Sequence, residues 1–221
     1  MKKFNLSINK IIILLFLSIK PLHSAEMTDP IKVDWSFKGL TGTFDRASLQ
    51  RGFQVYKEVC SSCHSMQYLS YRNLGESGGP EFTEAEVKAI AASFEVTDGP
   101  DSQGEMFTRP GRPSDMFVSP HPNKEAAAAA NGGAYPPDMS VLVKARKGGA
   151  NYIYSVLVGY EDPPPGVTLD QGVYYNKYMI GNKIKMPNNL EDGLIEYADG
   201  TVSTVDQMAK DVTTFLAWAA E

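Results

Sequence analysis

The chain has 221 residues, two cysteines and a formal net charge of −5. That length suffices for a single domain with a real core, and nothing in a composition that is 43% hydrophobic and 21% charged points to disorder. The acidic balance argues against nucleic acid as a partner and for a basic protein partner.

Met1 to Lys10 carries Lys2, Lys3 and Lys10 without an acid, and Ile11 to Ile19 is almost wholly apolar. A basic start followed by a short apolar run is a secretory signal pattern. The run falls short of the roughly 20 residues a helix needs to span a bilayer. Its Lys and Ile, without Arg, favour a bacterial Sec-type signal over a mitochondrial presequence. We place the cut after Ala25, giving a signal peptide over 1–25 and a mature domain over 26–221, although His23 stands where a small residue is preferred. Removing 1–25 takes the count from 21 basic and 26 acidic residues to 17 and 26, a net −9.

The lead-in from Glu26 to Thr43 lacks periodicity, with Trp35 and Phe37 as packing points. Asp45 is an N-cap for a helix from Arg46 to about Val59, where Leu49, Gly52, Phe53 and Tyr56 recur at helical spacing. Gly52 weakens a helix relative to Ala and so marks a close crossing with another helix. Thr83-x-x-Glu86 is a capping box opening a second helix with Val87, Ile90, Ala91 and Phe94 inward. Asp98 to Pro122 has no period of either kind and reads as one long loop, a length that signals a functional or covering segment. Glu125 to Ala130 is a short helix stopped by Asn131-Gly132-Gly133. Val141 to Arg146 and Asn151 to Gly159 read as two more short helices, the second also compatible with a strand. Residues 166–202 read as loop with one hairpin at most. Thr204-x-x-Gln207 is a capping box for a final helix that buries Val205, Met208, Val212, Phe215, Leu216 and Ala219.

The chemistry concentrates at Cys60-Ser61-Ser62-Cys63-His64, which holds both cysteines of the chain. C-x-x-C-H is the spacing of c-type haem attachment. Each thiol adds to one vinyl group of the same porphyrin, and the following imidazole becomes an axial ligand of the iron. A half zinc site would need further ligands where no other Cys exists, and a redox dithiol does not require the His. The other axial position decides the chemistry, because methionine favours electron transfer and an open site favours catalysis. From the residues alone the candidates are His121 and the eight methionines of the mature chain. Met186 leads, followed as it is by Pro187 in an extended segment, while His121 would give a bis-His iron. Met66 lies too near the motif and Met208 on the packed face of the last helix.

Arg51-Gly52-Phe53-Gln54-Val55-Tyr56, Val59 through Met66, and Tyr71-Arg72 resemble the cytochrome c1 family, haem subunits of the ubiquinol–cytochrome c reductase (cytochrome bc1) complex. Asp98-Gly99-Pro100, Gly104 through Phe107 with Arg109-Pro110-Gly111, Pro136-Pro137-Asp138, Ala145-Arg146 with Gly148-Gly149, Ile184-x-Met186-Pro187 and Ala209 through Glu221 extend the resemblance in family order. It covers roughly residues 30–221.

The resemblance implies a mainly α fold, a class I cytochrome c-like helical haem domain with long loop insertions. It implies one haem c on Cys60 and Cys63, with His64 and Met186 as iron ligands and His121 at the surface. Arg146 is expected at a haem propionate, Tyr152 in the pocket lining, and the Pro137 carbonyl as acceptor for the other N–H of His64. It further implies an electron-transfer subunit with no catalytic residue, relaying electrons from the iron–sulfur subunit to a soluble basic cytochrome c. Its partners are then the cytochrome b and Rieske subunits. Its place is the bacterial inner membrane, haem domain on the periplasmic side, with a membrane anchor expected beyond Glu221. Glu76, Glu81, Glu84, Glu86, Asp98, Asp101 and Glu105 are candidates for an acidic docking surface. A free periplasmic shuttle, which needs no anchor, and a peroxidase-like enzyme, which needs an open sixth position, are the competing readings.

Overall fold

Asp45 accepts a hydrogen bond from the Ser48 amide and starts helix α1 (Arg46–Val55), which carries the motif at its far end. The computed structural model describes residues 28–221, so the expected signal over 1–25 lies outside the described residues. The expected α-helix to Val59 is corrected at its last turn. Tyr56–Cys60 is a π-helical turn, closed by the Ser61 amide on the Tyr56 carbonyl at 2.8 Å.

Helix α2 (Glu84–Ala92) opens with the expected reciprocal capping box between Thr83 and Glu86. The long loop expected over 98–122 is corrected in part. Its start pairs with the residues before it as an antiparallel hairpin of β1 (Glu95–Asp98) and β2 (Phe107–Pro110). Both strands lie largely in solvent, so no alternation of apolar residues announces them. Arg109, held between Asp98 and Asp115, ties the hairpin to the loop after it.

Helix α3 (Lys124–Ala130) is capped by Asn123. The helix expected over Val141–Arg146 is not formed; the segment runs as successive turns, with the Ala145 amide on the Val141 carbonyl as an isolated helical bond. Gly148 and Gly149, at φ 94° and 55°, then redirect the chain, a backbone state that suits glycine. Helix α4 (Gly149–Val158) settles the helix-or-strand ambiguity in favour of the helix. Beyond it, β3 (Tyr174–Tyr175) and β4 (Lys183–Ile184) form the second hairpin.

Helix α5 (Val205–Ala219) is capped by the Thr204 hydroxyl, which accepts from the Gln207 amide. The reciprocal half of the expected capping box is absent. The Thr204 amide is already satisfied by the Val202 carbonyl, and the Gln207 side chain turns instead to Asp211.

The core centres on the crossing of α1 and α5. A Cβ at Gly52 would lie 2.7 Å from the Phe215 Cβ and would overlap the Asp211 carbonyl, so only glycine permits this approach. Beside it Arg51 grips the 1%-exposed Asp211 through two hydrogen bonds, at 2.9 and 3.1 Å, and reaches Asp199 with its third. Phe53 meets Phe82, Phe117 and Phe215 edge to face. The lead-in lies along α4: the Trp35 indole and the Val33 amide both donate to Asn151, and the Ile31 amide donates to Ser155. The fold is mainly α, with long loops and two small antiparallel hairpins among the described residues.

Candidate functional site

The π turn at the end of α1 delivers Cys60, Cys63 and His64 to the wall of a cavity of about 600 Å³. Volumes of about 300–1,000 Å³ with mostly apolar linings are usual for small-molecule and cofactor sites. Val212 and Leu216 of α5 and Tyr152, Ile153 and Val156 of α4 contribute to the lining, as do the Pro136–Pro137 turn and the segment from Ile184 to Leu190.

Within the motif the amides of Cys63 and His64 both close on the Cys60 carbonyl, at 3.1 and 2.9 Å, which fixes the tight turn. Both thiols are free. Burial pushes the Cys60 thiol up to about 12, with the charge of Cys63 adding to the effect.

The His64 ring is oriented by its own second nitrogen. Nδ1 lies 2.8 Å from the Pro137 carbonyl oxygen, which can only accept, so Nδ1 carries the proton and Nε2 keeps its lone pair. Burial lowers the His64 pKa against the opposing pull of the Pro137 bond and the Asp138 charge, which favours the neutral ring. The Pro137 turn is itself braced. The Asp138 carboxylate accepts from the Ser65 hydroxyl and the Gln67 and Ser140 amides, and the Met139 amide donates to the Ser65 carbonyl. These bonds hold the Asp138 carboxyl below its usual range although burial opposes them.

Met139, Met179 and Met186 all line the cavity. The Met139 backbone is tied to Ser65 and so belongs to the His64 side. The Met179 sulfur accepts a hydrogen bond from the Tyr152 hydroxyl at 3.2 Å. The Met186 sulfur accepts none among the described residues, and the Met186 carbonyl accepts from the Tyr160 hydroxyl at 3.0 Å. Arg146 is exposed, its guanidinium donating to the Ala145 carbonyl, and its charge opposes the burial that raises the Tyr152 phenol.

Cys60, Cys63, His64, Met186, Arg146, Tyr152 and Pro137 therefore share one cavity. His121 is not among its lining residues, and Met66 and Met208 are wholly buried in the core. None of the seven acidic candidates lines the cavity either. Several serve locally: Asp98 pairs with Arg109, Glu84 with Lys88, and Glu86 caps α2. Among the described residues no group of three or more His, Cys, Asp or Glu gathers to hold a bare metal ion, so a zinc site has no ligands to complete it. Two thiols placed for the vinyl groups, an imidazole with a free Nε2 and an unengaged thioether around an apolar cavity fit a c-type haem. Met179, Tyr160 and Asn176 were not legible in the motif. Each sits in or beside a loop with no period, where a residue's neighbours are set by tertiary contacts.

The family model described as the Cytochrome C1 family matches residues 35–221. The chain belongs to the cytochrome c1 family. It is 54% identical over 187 residues to cytochrome c1-2, a mitochondrial heme protein of Solanum tuberosum, covering 85% of this chain and 71% of that one. It is 51% identical over 206 residues to cytochrome c1 of Rhodospirillum rubrum, covering 86% of this chain and 75% of the relative. Cytochrome b/c1 of Bradyrhizobium diazoefficiens is 51% identical over 206 residues, and there the match spans only 30% of the relative. Cytochromes c1 are electron-transfer subunits whose cofactor is a c-type haem, and the cysteine pair at 60 and 63 suits its attachment. Among the described residues no helix is long and apolar enough to cross a membrane.

Proposed function

We propose that residues 26–221 form a one-electron carrier of a cytochrome bc1 complex, holding one haem c through Cys60 and Cys63 with His64 and Met186 as axial ligands. The observation that carries this reading is the convergence of those four side chains on one cavity. When bound, the haem supplies a one-electron couple between ferric and ferrous iron.

The chain's own residues set the conditions for that couple. The Pro137 carbonyl holds the His64 ring as the tautomer with Nε2 free. Apolar residues of α4 and α5 line the cavity, Arg146 would pair with a haem propionate, and Tyr152 lines the pocket. No group is called on to move a proton. One electron enters from the Rieske iron–sulfur subunit beside cytochrome b and leaves to a soluble basic cytochrome c, drawn in by the net −9 of the mature chain. Residues 1–25 direct export, placing the domain on the periplasmic side of the bacterial inner membrane.

Optical spectroscopy of the purified holoprotein tests the ligand set. The oxidised form is expected to show a weak near-infrared methionine-to-iron band that disappears in Met186→Leu, and an unchanged spectrum in that variant would overturn the assignment. The rate of cytochrome c reduction is expected to fall with ionic strength; a flat dependence refutes the steering.

A further inference from the structure

We propose that Tyr160 is a positioning residue for the Met186 thioether, an inference that rests on the reading of Met186 as the sixth ligand. The segment carrying Met186 has little regular structure of its own. Its two strands are two residues long each, and Lys185 to Leu190 belongs to no element.

Its front end is fastened to the end of α4. Asn176, fully buried, donates from its side chain to the Val156 carbonyl at 2.7 Å and accepts from the Tyr178 amide. The Lys177 amide closes on the Gly159 carbonyl, and Tyr160 bridges to Asn176. Beyond β4 those ties end. Among the described residues, the hydrogen bond that reaches the Met186 backbone is the one from the Tyr160 hydroxyl to its carbonyl, at 3.0 Å.

Two constraints then act together on residue 186. Pro187 confines the Met186 backbone to extended conformations, which sets its shape. The Tyr160 hydroxyl sets its place, since Tyr160 lies two residues past the end of α4 and lines the same cavity. A thioether is a weak ligand on a flexible stem, so its hold on an iron depends on the backbone being delivered to one position. Loss of the hydroxyl leaves the extended shape and removes the anchor.

The test uses the holoprotein and three variants, with imidazole as the competing ligand read by the optical spectrum of the oxidised form. Tyr160→Phe keeps the ring and removes one hydrogen bond, so imidazole affinity is expected to rise about 2- to 10-fold. The near-infrared band is expected to fade at a lower temperature than in the parent. Tyr154→Phe is the control for general loosening: its hydroxyl donates to Asp206 at 2.6 Å, and Tyr154 does not line the cavity. That variant is expected to lose thermal stability without a change in imidazole affinity. Met186→Leu establishes the ligand itself. If Met186→Leu loses the band while Tyr160→Phe binds imidazole as the parent does, the positioning role is wrong and the ligation stands. An equal rise in Tyr154→Phe also overturns the role, because the effect is then one of stability. If Met186→Leu keeps the band, the ligand reading fails and the inference falls with it.

Discussion

The Nδ1 of His64 donates to the Pro137 carbonyl oxygen at 2.8 Å across 73 residues of sequence. The bond fixes which nitrogen faces the cavity, and Asp138 braces the turn that provides it. Asp138→Ala removes three accepted hydrogen bonds and is expected to cost about 1–3 kcal/mol of stability, read by denaturant unfolding. With His64 on the haem iron as proposed, a slackened acceptor also makes the imidazole a poorer electron donor, so the reduction potential is expected to rise. A variant with both the unfolding midpoint and the potential unchanged would show that the turn stands without the carboxylate.

Gly52 lies where α1 and α5 touch. Gly52→Ala gains about 1 kcal/mol of helix propensity but forces a methyl against the Asp211 carbonyl and the Phe215 Cβ. Overpacking at rigid backbone costs about 1–3 kcal/mol, and a methyl overlapping a carbonyl oxygen lies at the upper end, so the net effect is expected to be destabilising by up to about 2 kcal/mol. Urea unfolding checks it, and a variant more stable than the parent contradicts the crossing.

Asp115 accepts two hydrogen bonds from Arg109, which holds its carboxyl down at about 2. An unfolded aspartate titrates near about 3.9, so this contribution is complete above about pH 4 and drains away as pH falls toward 2. Asp115→Asn is expected to flatten that part of the stability profile. Asp199, also held at about 2 by its Thr201 and Arg51 bonds, keeps a residual slope in the variant. Acid titrations of unfolding that superimpose for parent and variant would remove Arg109 from the account.

Helices with caps and a clear inward face were legible because both signals are local. Thr83 with Glu86, and the stripe from Met208 to Leu216, state their helices outright. The hairpin at Glu95–Pro110 was not, because its strands bury neither face and its anchor, Arg109, works through charge. Val141–Arg146 has helical letters but runs as successive turns, with the Ala145 amide on the Val141 carbonyl. In the site, Cys60, Cys63 and His64 were readable from spacing alone. Met186 led the methionines from its place before Pro187, and the resemblance singled it out; three thioethers line the cavity, and the differences among them lie in tertiary contacts with Ser65, Tyr152 and Tyr160.

The π turn at Tyr56–Cys60 holds one residue more per turn than the helix it extends. Phe53 and Tyr56 stay in the core while Cys60, a few positions on, meets the cavity wall. Inserting or deleting one residue there would swing everything downstream by about 100° around the helix axis. Between Val55 and Cys60, then, length constrains the chain as much as lettering does: Lys57 and Glu58 face solvent and can be exchanged, but neither can be removed.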